Sequence, residues 1–171
     1  MKQILIFGLL PGVIWIVVMI LVANAMYTNP DLETNDYLGF ALMLVVFSLI
    51  FFGIRDYRNK KLDGYISFWK AVKTGVLMAL VATAAYVGIW LFYYYLFAPD
   101  FLDVFSEFLL NATPPSELDS TTKYLDNIRN WYSNPFGVAL ITALEVLPIG
   151  LIVTLISAFI LKKNKPQTDE A

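Results

Sequence analysis

Apolar residues in this chain come in four long runs rather than in short alternating or scattered groups. The runs cover residues 4–26, 37–54, 75–97 and 136–161, and the first and third contain no charged side chain. A bilayer-spanning helix needs roughly 20 mostly apolar residues, with a range of about 17–25, so each run is long enough, the second at the short end. Backbone polar groups in hydrocarbon must be satisfied internally, which only helices and closed barrels achieve. No alternation at period two runs through these segments, and their Leu, Ile, Val and Ala content fits helices. The pattern predicts an all-α polytopic membrane protein, a four-transmembrane-helix bundle forming a single integral membrane domain over residues 1–171.

The segment 98–134 between the third and fourth runs is too long for a plain connection, since loops beyond about 12–15 residues usually carry structure or function. Phe101, Val104, Phe105, Phe108 and Leu109 share one helical face, with Asp103, Ser106 and Glu107 opposite. That is an amphipathic helix expected to lie on the membrane surface or on the bundle. Pro114-Pro115 ends it, and Ser116 followed by Asp119 resembles a capping box. Leu118, Leu125, Ile128 and Tyr132 then recur at helical spacing, which predicts a second surface helix running into Asn134-Pro135, the start of the fourth span. Asn111-Ala112-Thr113 matches a glycosylation sequon, a three-residue pattern with no weight in most bacteria.

Composition agrees with the bilayer reading: 58% of the 171 residues are hydrophobic and 15% charged, against about 45–50% and about 25% in soluble domains. Charge fixes an orientation. Arg55, Arg58, Lys60, Lys61, Lys70 and Lys73 lie between spans two and three, and Lys2, Lys162, Lys163 and Lys165 lie at the ends. Ten of the twelve basic residues thus fall on one side, and cytoplasmic segments carry the Lys/Arg excess. The other side holds Asp31, Glu33 and Asp36 in the first loop and six acids against Lys123 and Arg129 in the long one. The expected protein is a multi-pass protein of the cell inner membrane with both termini cytoplasmic. Tyr27, Tyr37, Tyr57, Tyr65, Trp69, Trp90, Tyr93–Tyr95, Trp131 and Tyr132 mark the headgroup level, where a ring can be half apolar and half polar. An alternative for the first run is a signal peptide with Ala23-Asn24-Ala25 as its cleavage site, but a signal core usually spans about 7–15 residues and this run is longer.

There is no Cys and no His. Disulfides, thiolate chemistry and Cys-based lipidation are excluded, as are a Ser-His-Asp triad, a His-based zinc site and a haem His. The net charge of −2 offers nothing to nucleic acid. The sequence therefore leads to no catalytic, cofactor-binding or metal residues.

Glu145 is the most informative position. It lies about 15 Å along the fourth span, near the bilayer midplane, where a charge costs about 2.5–3.5 kcal/mol on insertion scales. It must face protein or water, be protonated, or pair. Thr142 and Pro148 lie on its side of the helix, and Pro148 frees the Leu144 carbonyl, which points to a kink and makes this span the one candidate for a broken helix. The functional reading is a proton, cation or substrate site; the structural reading is a hydrogen bond to Asn24, Ser48, Thr83 or Tyr86. Small residues at four-residue spacing, Gly8 and Gly12, Gly75 and Ala79, and Gly150, Thr154 and Ala158, are candidate helix-packing positions, within one molecule or in a homodimer. Arg55, Arg58, Lys60 and Lys61 are candidate contacts for anionic lipid headgroups, although topology alone accounts for them equally well.

The stretches Phe52-Gly53-Ile54-Arg55-Asp56-Tyr57-Arg58 and Gly64-Tyr65-Ile66-Ser67-Phe68-Trp69-Lys70-Ala71-Val72-Lys73-Thr74-Gly75, and the ending from Glu145-Val146-Leu147-Pro148-Ile149-Gly150 through Ala158 to Lys162-Lys163, resemble an uncharacterised bacterial membrane family. This is domain-of-unknown-function family 4199, found mainly in Bacteroidota-type bacteria. The resemblance covers most of the chain. It implies four inner-membrane spans and carries over neither an activity nor any functional residue.

The expectation is a non-enzymatic membrane protein acting through packing with lipid, a membrane protein partner or a second copy. The alternatives are a small proton- or ion-coupled transporter or channel-like protein using Glu145, and a membrane enzyme, which the absence of His and Cys disfavours. A transporter usually shows internal repeats, and two inverted halves are not evident here.

Overall fold

A computed structural model describes residues 1–29 and 35–165 of the chain. Asp31 and Glu33, which supported the orientation, lie outside the described residues. Among the described residues seven helices follow one another: α1 (Lys2–Thr28), α2 (Asp36–Phe47), α3 (Leu49–Lys61), α4 (Phe68–Leu96), α5 (Phe101–Ala112), α6 (Leu118–Trp131) and α7 (Pro135–Leu161). Four stretches of the described residues are long and apolar enough to cross a membrane: Lys2–Thr28, Tyr37–Lys61, Phe68–Leu96 and Pro135–Leu161. The described residues contain no strand, only an isolated antiparallel bridge between Ile66 and Lys163. The protein is an all-α polytopic helical bundle.

Two boundaries differ from the hydrophobic pattern. The second span runs on to Lys61 instead of ending at residue 54, and the third begins at Phe68 instead of 75. Both extensions carry lysines. The long aliphatic stem of Lys lets a helix continue past the apolar zone with its ammonium in the headgroup layer, so the helix outlasts the hydrophobic run. The second span is also interrupted at Ser48, whose hydroxyl donates to the Val45 carbonyl at 2.6 Å. Such back-bonding competes with the helical ladder and commonly bends it.

The bundle is organised around α4, which packs along α1 on one side and α7 on the other. Small residues permit this. A Cβ on Gly12 would land on the backbone of Ala82, and one on Gly8 would meet Val81 and the Met78 carbonyl. On the other flank, a Cβ at Gly75 would strike Thr154, and Gly150 sits against Ala79 and Phe47. Close backbone approach of this kind brings helices together where the hydrophobic effect cannot, since lipid tails are as apolar as the side chains. α3 packs against α1, α4 and α7 through Ile50, Gly53 and Ile54. α2 leans on α1 and α7, with Met43 and Phe47 buried and most of its other large side chains facing outward.

The end bearing Lys2, residues 55–73 and Lys162–Lys165 is called the basic end, and the opposite one the acidic end. At the acidic end α5 packs on α1, and α6 on α5 and α7, so both surface helices rest on the bundle. Phe101 and Phe108 are buried as expected, but Ser106, placed on the polar face by spacing, is buried too. It donates to the Leu102 carbonyl at 2.6 Å, and a hydroxyl satisfied by its own helix no longer needs water. The proposed cap at Ser116 is absent: α6 starts after Glu117 and has no side-chain cap. α7 does start at Asn134-Pro135, and the Asn134 side chain caps it, accepting from the Gly137 amide at 2.9 Å with Pro135 in the first turn.

Candidate functional site: a mid-span carboxylate

α7 runs without interruption through Pro148. The one candidate for a broken helix is therefore continuous; proline removes one hydrogen bond from the Leu144 carbonyl, and packing against α4 holds the rest of the ladder. This continuity places Glu145 on a regular helix at mid-span. Its carboxylate accepts a hydrogen bond from the Tyr86 hydroxyl of α4 at 3.0 Å. Tyr86 is the one of the four candidate partners that takes this role. Asn24 accepts from Tyr93 and donates to the Ile20 carbonyl, Ser48 bonds Val45, and Thr83 bonds the Ala79 carbonyl.

Atoms crowd around Glu145, yet more than a third of the residue's surface stays open. Leu144 and Pro148 beside it are exposed as well, and Ile152 continues the same outward strip. Glu145 is thus a carboxylate on the lateral surface of the bundle, tethered inward by one phenol.

Several polar atoms converge behind it. Trp15 of α1 lies beside both Glu145 and Tyr86, but its indole N–H is buried and makes no hydrogen bond of good geometry. The Thr142 hydroxyl, one turn before Glu145, is also buried without a partner. Tyr132 follows toward the acidic end, close to Thr142 and to Trp90, and the Trp90 indole N–H is a further buried donor without a partner. Burial pushes the Tyr132 phenol up to about 12, which keeps it a neutral donor at ordinary pH. The result is a line of polar groups from the acidic end to Glu145. Toward the basic end the line stops, because Gly150 against Ala79 and Gly75 against Thr154 close the α4–α7 seam.

Sequence reasoning singled out Glu145, Thr142 and Pro148, and the structure sets Glu145 and Thr142 beside the same polar cluster while Pro148 faces outward. It missed Trp15, whose indole donor in the middle of an apolar run was the available signal, since a buried Trp usually finds a partner for its N–H. The small residues Gly8, Gly12, Gly75, Ala79, Gly150, Thr154 and Ala158 all lie buried within one molecule. The basic candidates separate. Arg58 donates to the Leu161 carbonyl at 3.1 Å and Lys60 pairs with Asp56 at 2.7 Å, while Arg55 is exposed and Lys61 lines a surface cavity. Among the described residues no group of three His, Cys, Asp or Glu side chains is arranged to hold a metal ion.

No curated protein and no solved structure matches the chain. The profile of the family described as protein of unknown function (DUF4199) matches residues 6–163, and the chain belongs to that family.

Proposed function

We propose, starting from membership of that family, that this is a non-enzymatic inner-membrane protein that binds a transmembrane partner through Glu145. The observation that carries the reading is the open surface of Glu145 at mid-span. One hydrogen bond from Tyr86 leaves most of a carboxyl's capacity unused, and polar groups facing hydrocarbon are expensive at this depth. A partner helix presenting a donor or cation at the same depth, seated on Leu144, Pro148 and Ile152, removes that cost. The partner side of the contact is a transmembrane helix of another protein or of a second copy. The absence of His and Cys supports a role without catalysis.

The test is in-membrane photocrosslinking from position 144, with position 92 on the exposed face of α4 as reference. A defined adduct at 144 that Glu145→Leu abolishes, with position 92 unaffected, is the expected result. Adducts that ignore Glu145→Leu, or none at all, overturn the reading. The orientation proposed with it puts the basic end in the cytoplasm. Reporter fusions at Lys61 and Ser120 check this, and a cytoplasmic Ser120 refutes it.

A second reading, a proton- or cation-coupled carrier, draws on the unpartnered polar atoms of Thr142 and Trp15 beside Glu145. Glu145→Gln separates the two, because glutamine still hydrogen-bonds a partner but cannot exchange a proton. Retained crosslinking with loss of a proton-dependent phenotype favours the carrier.

A further inference from the structure

The basic end contains a feature that neither the span pattern nor Glu145 explains. An open cavity of about 320 Å³ lies between the end of α3, the start of α4 and the segment after α7. Four lysines from these three segments line it: Lys61, Lys70, Lys163 and Lys165. Among the described residues the one acid on its wall is Asp63. Among the described residues none of the four lysines is in an ion pair; the two pairs present are Lys60 with Asp56 and Arg129 with Asp103. Lys163 rests over the Tyr65 ring, 5.2 Å from its centre.

The chain holds these like charges together deliberately in the structural sense. Ile66 and Lys163 exchange two backbone hydrogen bonds, of 2.9 and 2.8 Å, across nearly a hundred residues of sequence. A turn with Asp63 and Gly64 at positive φ brings Ile66 to that position. Ser67, on the cavity wall, then enters α4 without its side chain capping the helix, so the first-turn amides of a long helix are left without a side-chain acceptor beside the cavity. Helix N-terminal amides favour negative charge, and the nearby lysines raise the local potential further. The ring of Trp69 is largely exposed beside this entrance, which sets the cavity at headgroup depth.

We propose that this cavity is a binding site for the phosphate of an anionic phospholipid headgroup, with Lys70, Lys163 and the Ser67 end of α4 as its core. The size fits a glycerophosphate group, the charge is of the right sign, and the cavity lies at the basic end of the spanning helices, where such headgroups are found. Of the four basic residues singled out from the sequence only Lys61 contributes, because Arg58 and Lys60 are occupied within the protein. The inference rests on the membrane placement of the helices and is independent of Glu145.

The test uses the full chain in micelles containing phosphatidylcholine and phosphatidylglycerol in equal parts, with retained lipid counted by native mass spectrometry. Lys70→Gln with Lys163→Gln is compared with Arg55→Gln with Lys73→Gln, two exposed cations at the same end but outside the cavity. The cavity variant is expected to lose about thirtyfold in its preference for the anionic lipid, given the contribution of each of its two cations near a headgroup, while the second variant keeps it. Lys70→Gln alone provides a milder arm with an intermediate loss. Equal losses in both double variants mean diffuse surface charge and overturn the proposal, as does no loss in either. Millimolar inorganic phosphate is the third arm: full displacement of the lipid by it makes this a site for free phosphate and overturns the lipid assignment.

Discussion

The Tyr86 hydroxyl and the Glu145 carboxylate meet 3.0 Å apart across the α4–α7 seam, joining a fully buried phenol to an acid that opens on the surface of the bundle. Interhelical hydrogen bonds in membrane proteins contribute about 0.6 kcal/mol on average and up to about 1.7. Tyr86→Phe is therefore expected to cost about 1 kcal/mol in reversible unfolding from mixed micelles. Glu145→Gln keeps an acceptor and costs less. In a double-mutant cycle with Tyr86→Phe and Glu145→Leu the coupling should be about 1 kcal/mol; a coupling indistinguishable from zero would show that the bond does not hold the seam.

The contact of α1 with α4 predicts a sharp contrast among glycines. Gly12→Ala places a methyl on the Ala82 backbone, which has no flexible end to move aside. Overpacking of this kind costs about 1–3 kcal/mol. Gly88 has nothing within 4 Å of an added Cβ, and Gly88→Ala should stabilise its helix by about 0.5–1 kcal/mol. Unfolding midpoints that move in opposite directions support the close approach. Equal small shifts would mean that α1 is loosely held.

The residues that sequence reading placed correctly are those whose signal is local. Four apolar runs located the spans because hydrocarbon demands length and internal hydrogen bonding, and Asn134-Pro135 marked the start of α7 because a cap is a local pattern. What was not legible depends on packing or on distant residues. Ser106 reads as polar surface until its own helix accepts its proton. Ser48 offers nothing in the pattern to announce a break. Glu145 was visible as a lone acid, and Tyr86 as one of several partners, but the position of Trp15 beside them needs the α1–α4 contact. The lysine cavity depends on pairing Ile66 with Lys163, a contact that no periodicity encodes.

Arg58 gives a prediction about the end of α7. The last carbonyls of a helix lack intrahelical donors, and the Arg58 guanidinium supplies one to Leu161 at 3.1 Å. Hydrogen bonds to charged groups are worth about 1.5–3 kcal/mol, reduced here by partial exposure. Arg58→Leu should lower stability by about 1 kcal/mol and speed amide hydrogen exchange in the final turn of α7. Lys60→Gln breaks an exposed ion pair with Asp56 and should leave stability close to that of the parent, since solvent screens such pairs. If both substitutions leave exchange at the end of α7 unaltered, the guanidinium is not its cap.

Asn134 and Ser116 make a final pair, alike in sequence and different in structure. Both precede a helix, and both are residue types that favour the N-cap. Only Asn134 accepts an amide proton, from Gly137 at 2.9 Å, while α6 begins after Glu117 with no side-chain cap. A Cβ at Gly137 would meet the Trp131 carbonyl, so this corner is tightly packed and the chain has little room to find a substitute acceptor. Asn134→Ala should therefore cost about 1 kcal/mol and loosen the entry of α7, visible as faster exchange of the Gly137 and Val138 amides. Ser116→Ala should fall within about 0.5 kcal/mol of the parent, as surface changes without such a role do. A larger loss at Ser116 than at Asn134 would mean that the capping box does form and that the start of α6 is misplaced.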